Sequence, residues 1–129
     1  MAKTNTIHEI GIASQIGKYS DSVEVTSARR LLFISGTPGL TPEGHLSNVF
    51  VEQAEQAWRN VFALLEAASM GPEHLVKVSQ YVVRSEDISR YSPIRTKWLG
   101  ESRPASMLVV VPALVRPEFL IEIEAYAAA

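Results

Sequence analysis

The chain contains no cysteine. Disulfide staples, thiolate nucleophiles and cysteine-based metal sites are therefore excluded, and a reducing cytosol is compatible with that composition. Long apolar runs are missing too. The longest, around MLVVVPALV, falls far short of the roughly 20 residues that cross a bilayer. The opening MAKTNTIHEI lacks the apolar segment of a signal peptide. Together these absences predict a cytoplasmic protein without a membrane partner. Neither sign of charge dominates: 12 Lys and Arg stand against 14 Asp and Glu, a net charge of -2. The cations are scattered, with Arg29–Arg30 the longest run. A nucleic-acid partner calls for a clustered basic face, so none is expected.

Histidine is sparse. His8, His45 and His74 are isolated, at no metal-ligand spacing and in no triad pattern, so no metal is expected. No GxGxxG or Walker pattern is present, and the glycines of SGTPG do not open a helix as a phosphate loop would. Nothing in the sequence asks for a cofactor.

What is present is a globular core in a short chain. The 129 residues are 47% apolar, enough for one compact domain spanning 1–129 and too few for two. Residues 4–12 read as a short strand or extended arm, 16–19 as a turn, and SDSVEVTS as an alternating strand. A strand at 31–35 is expected to stop at Gly36, where Thr-Pro-Gly turn chemistry begins. Residues 48–68 predict a helix with an apolar stripe at Phe50, Ala54, Ala57, Trp58, Val61, Leu64, Leu65 and Ala68. Gly71 and Pro72 are expected to end it. A strand at 75–83 follows. A second helix is then expected to be capped by Ser92, with Pro93 at its first position, and closed by Gly100. Strands at 105–111 and 119–126 finish the chain.

This order predicts an α+β layer with both helices on one face of a sheet. The other face stays uncovered. Ser106, Leu108 and Val110 alternate with Met107, Val109 and Val111, so both faces of that strand are largely apolar. A symmetric homo-oligomer is the economical way to bury both. Glu122 and Glu124 share one strand face, which should look into that interface and needs donors or protons there.

The chain resembles the RidA/YjgF family of reactive-intermediate deaminases over nearly its whole length. The motifs that carry the resemblance are IGKYSDSV, FISGTPGLTPEGHL, QAEQAWRNVFALLEAASM, VKVSQYVV, RPAS and IEIEAYA. It implies a chorismate-mutase-like α+β fold of about six strands with two helices on one face. It also implies a homotrimer with small-molecule clefts between adjacent subunits, and cofactor-independent hydrolysis of imines or enamines to a 2-oxo acid and ammonia. Carried over by motif, the pocket tyrosine falls on Tyr19, the serine and glycine on Ser35 and Gly36, and the water-associated glutamate on Glu122. The pocket asparagine falls on Ser92, the carboxylate-binding arginine on Ser106 and the cysteine on Leu108, so these three depart from the family pattern.

Losing a guanidinium clamp costs a carboxylate substrate about two orders of magnitude in affinity. Ser106 therefore predicts an atypical substrate, and little turnover of 2-aminoacrylate unless another cation stands in. Arg95, Arg103 and Arg116 are the candidates. Without a neutralising arginine, a buried Glu122 should have a raised pKa. The alternative is a non-catalytic trimer that binds a small metabolite in the same clefts. The ribonuclease activity attributed to some family members needs a basic groove that this charge pattern does not supply.

Overall fold

The computed structural model describes residues 5–129. Its strands are β1 (Asn5–His8), β2 (Ser22–Val25), β3 (Leu31–Pro38), β4 (Leu75–Val82), β5 (Ala105–Val110) and β6 (Ile121–Ala128). Its helices are α1 (Phe50–Ala67) and α2 (Ile88–Leu99). Four strands form one mixed sheet in the order β3-β6-β4-β5. β6 runs antiparallel to both neighbours, whereas β4 and β5 are parallel. A parallel pair needs a crossover, and α2 supplies it.

Both helices lie on one face. The strand IEIEAYAA shows why: Ile121, Ile123, Ala125 and Ala127 are buried, while Glu122, Glu124 and Tyr126 point the other way. The buried set packs with Ile34, Val78 and Val82 against Phe50, Ala54, Trp58, Val61 and Leu65 of α1 and Tyr91 and Ile94 of α2. The opposite face is bare, with Phe33 70% and Leu31 61% exposed. Leu64 is exposed despite its place in the predicted stripe, and Gln53 is buried on α1 instead.

Of the six strands, β1 and β2 stand apart from the main sheet as an antiparallel ribbon, Asn5 opposite Val25 and His8 opposite Ser22. Ser27 takes a left-handed φ of 57° between β2 and β3, and the two strands do not pair. The ribbon is held at the sheet's end by the Ser20 N–H to the Pro104 carbonyl, 3.2 Å, and by Asn5 Nδ2 to the His74 carbonyl, 3.5 Å. The predicted strand at 4–12 thus survives as β1, with residue 4 outside the described residues.

Apart from shifts of one or two residues, as in β6 at 121–128 rather than 119–126, three boundaries differ from expectation. β3 does not stop at Gly36 but continues to Pro38 through a bulge. α1 ends with Ser69, not Gly71, in the left-handed region, at φ 55°. α2 begins at Ile88, so Ser92 is inside the helix and Pro93 interrupts its ladder by one hydrogen bond. Ser92 Oγ bonds back to the Ile88 carbonyl at 3.3 Å, as interior helix serines do. The earlier start is anchored by Asp87, whose buried carboxylate takes Arg84 Nε and Arg90 Nη1, each at 2.9 Å.

Candidate functional site

The predicted site residues fall into two groups on opposite faces of the main sheet. The first lies on the bare face. Ile34 opposes Ala125 and Thr37 opposes Ile123, which leaves Ser35 and Gly36 together against Glu124. Two residues against one make a β-bulge, a device that re-aims a strand. Glu122, next on that face, is flanked by Pro38 on β3 and Tyr81 on β4. A Cβ at Gly36 would sit 2.5 Å from Glu122 Oε1, so only glycine lets the carboxyl lie on the β3 backbone. Partial burial there raises the Glu122 pKa above its ordinary value, as expected for a carboxyl without a cation.

Glu124 is engaged differently. The Tyr126 hydroxyl donates to its Oε1 at 3.4 Å, and the Glu124 charge raises the Tyr126 pKa. The two glutamates therefore have separate surroundings although they share a face.

The second group lies at the outer edge of the sheet, where β5 meets α2. Ser106 is registered with the fully buried Val78, so its side chain is on the helix-covered face. The Ser20–Ala105 bridge places Tyr19 beside the start of β5. Gly17 lies between Tyr19 and Arg95: a Cβ on it would be 3.4 Å from Arg95 Nη2 and 3.6 Å from Tyr19 Cδ1. The Arg95 guanidinium also lies over the Tyr91 ring, 5.9 Å from its centroid. Among the described residues Arg95 forms no ion pair.

Of the other two candidate cations, among the described residues only Arg103 is held by hydrogen bonds. Arg103 Nη1 donates to the carbonyls of Gly100 and Ser102, at 2.7 and 2.9 Å. Arg116 lies on the Phe119 ring in the exposed loop before β6. Leu108 is registered with Gln80 and packs against the core.

Beneath Ser106 runs a buried polar chain that sequence reasoning missed. Trp58 Nε1 donates to the Tyr91 hydroxyl at 3.2 Å, which donates to Gln80 Oε1 at 2.6 Å. Gln80 Nε2 donates to Ser106 Oγ at 3.0 Å and to the Met107 carbonyl at 2.8 Å. Trp58, Tyr91 and Gln80 are each fully buried. The available signal was an amide in the middle of an apolar strand, which must find partners when buried.

Apart from Arg103, residues of neither group line the main cavities among the described residues. A cavity of about 960 Å³ lies elsewhere, between the ribbon and the sheet end, lined by Ile7, Val23, Leu75, Trp98 and Arg103 among others. Among the described residues no cluster of three metal-ligating side chains occurs, and no helix is long and apolar enough to cross a membrane.

Residues 10–129 match the family model described as Endoribonuclease L-PSP. The chain belongs to this family, the RidA/YjgF or Rid family. A RutC family protein of Aquifex aeolicus is 37% identical over 114 residues, covering 85% of this chain and 89% of its own. A mouse protein named 2-iminobutanoate/2-iminopropanoate deaminase is 35% identical over 114 residues, covering 87% and 82%. Among solved structures, the Yersinia pestis Rid protein YyfB, of unknown function, superposes with a TM-score of 0.87 at 26% identity over 98% of this chain and 100% of that one. RidA from an Antarctic Psychrobacter gives 0.73 at 29% identity, over 99% and 100%. The fold is thus the chorismate-mutase-like α+β layer of Rid proteins.

Proposed function

We propose that this Rid protein is a homotrimer that hydrolyses a small imine or enamine bearing a carboxylate, in clefts built by two copies of the chain. The observation that carries this reading is the placement of Glu122 and Ser106. They lie on opposite faces of one sheet, with β4 between their strands, so one chain cannot turn both into one pocket. A second copy seated on the bare face closes the cleft, and buries Phe33 and Leu31 as it does so.

In this cleft Arg95, beside Tyr19, takes the carboxylate that a residue-106 arginine would otherwise hold. An enamine first tautomerises to the imine, its N–H proton passing to the terminal carbon, and Glu122 from the adjoining copy then positions a water against the C=N carbon. The water adds as hydroxide to carbon, and its proton passes through Glu122 to the nitrogen. Collapse of the carbinolamine releases ammonia and leaves the 2-oxo acid. The raised pKa of Glu122 suits this role, since a carboxyl titrating closer to neutrality both accepts and returns a proton. The deaminase name of the mouse relative supports the same chemistry. The protein's own cations do not favour a phosphate groove: Arg84, Arg90 and Lys97 are ion-paired and the net charge is -2.

The test is to release 2-aminoacrylate in situ from serine with a pyridoxal-phosphate dehydratase and follow pyruvate formation. The protein should accelerate it, with Arg95→Met and Glu122→Gln both impaired. No acceleration by the wild type, together with tight binding of a metabolite in the cleft, would replace this reading with the non-catalytic one.

A further inference from the structure

The chain from Trp58 to Ser106 has a direction, and its two ends set that direction independently. An indole N–H can only donate, so the Tyr91 oxygen must accept from Trp58 and its proton must go onward to Gln80 Oε1. A backbone carbonyl can only accept, so the Gln80 group facing Met107 must be the NH2. Both constraints give the same orientation of the Gln80 amide. Its second N–H then lands on Ser106 Oγ. Burial holds the Tyr91 phenol well above its ordinary pKa, so it remains a protonated donor at any working pH.

Ser106 thus accepts from below, and among the described residues its own proton has no acceptor. We propose that Ser106 is a fixed hydrogen-bond donor of the binding cleft, aimed by Gln80, Tyr91 and Trp58 as positioning residues. The group it selects is an acceptor without a proton, a carboxylate oxygen. The second oxygen of that carboxylate goes to Arg95, which overlies the same Tyr91 ring that feeds the chain. A site wired this way favours an acceptor over a ligand that offers only an N–H at that position, because the Ser106 proton is then left without a partner. The inference rests on the proposed function in placing the ligand carboxylate at this edge of β5.

The probe is 2-oxobutanoate, with its neutral amide as control, titrated into the oligomeric protein by NMR. Wild type should bind the acid more tightly than the amide. Ser106→Ala should weaken the acid about tenfold, and Ser106→Thr, which keeps the hydroxyl, should stay within about twofold. Tyr91→Phe unlocks the Gln80 amide, so it should weaken binding several-fold with Ser106 present and hardly at all in the Ser106→Ala background. Should Tyr91→Phe fail to fold, Trp58→Phe, which frees the Tyr91 hydroxyl to rotate, carries the same comparison. Equal losses in both backgrounds would reduce the chain to packing and overturn the proposal. So would a Ser106→Ala protein that binds like wild type, and in that case carboxylate capture by Arg95 would stand. Wild type that does not bind 2-oxobutanoate would overturn both readings.

Discussion

The two halves of the candidate site are built by different physics. The edge half is finished within a single chain. Ser106 is held from beneath by a buried amide, and Arg95 is laid over the Tyr91 ring. The face half is unfinished. Glu122 rests on the Gly36 backbone with no donor or cation beside it among the described residues, on the same bare face as exposed Leu31 and Phe33. On the proposed reading, a preorganised half that binds and an open half that supplies the reactive carboxyl become one site only on assembly. Binding and proton transfer are therefore assigned to different copies, and mutations should separate them.

The largest effect should come from the face half. Glu122→Gln keeps the shape and removes proton transfer, so kcat on 2-aminoacrylate should fall by about 10²–10³ with KM little changed. In the edge half the pattern should invert: Arg95→Met should raise KM by roughly 10–100-fold and leave kcat nearly intact. If both variants lost kcat alone, the division of labour would be wrong. Gly36→Ala should cost about tenfold in kcat, since the new Cβ must push the Glu122 carboxyl off the bulge. Its circular dichroism should match wild type, because the strand itself is kept.

The smallest effect lies outside both halves. Asp21 accepts backbone N–H bonds from Ile10, Gly11 and Ala13, at 2.7, 3.1 and 2.7 Å. Those bonds, that of Ile10 foremost, lower its pKa below 3.8. A lowered folded-state pKa gives stability that is present above the unfolded value and lost as pH falls through the folded one. The Ile10, Gly11 and Ala13 amides should therefore lose exchange protection only in strong acid, while catalysis shows no trace of this titration near neutrality. Glu122 has the opposite sign: its raised pKa means that ionising it opposes folding, so stability declines as pH rises from 4.5 towards the folded value.

Periodicity made the layers legible. The apolar stripe of α1 and the alternation in IEIEAYAA are one-chain signals, and both led to the right faces. Features set by pairing between distant segments were not legible. Gly36 reads as a strand end because a bulge is defined only by what lies across from it. Ser92–Pro93 reads as a helix start although the Asp87 ion pairs to Arg84 and Arg90 that anchor the true start are local, each three residues away. Trp58 is core, as expected, but its N–H matters only once α1 is packed over α2 and β4. The motif resemblance brought Ser106 and Glu122 to one pocket, and only the strand register shows that they lie on opposite faces of one sheet, which is the ground for proposing a cleft shared by two copies.

That sharing is open to a direct test. Arg95→Met and Glu122→Gln chains, each impaired alone, are unfolded together, refolded as mixed oligomers and assayed. In a trimer with shared clefts, about one quarter of the clefts pair an intact edge half with an intact face half, so activity should recover to about a quarter of wild type. If the mixture stays as impaired as its parts, each chain carries a whole site of its own and the two-copy cleft is contradicted.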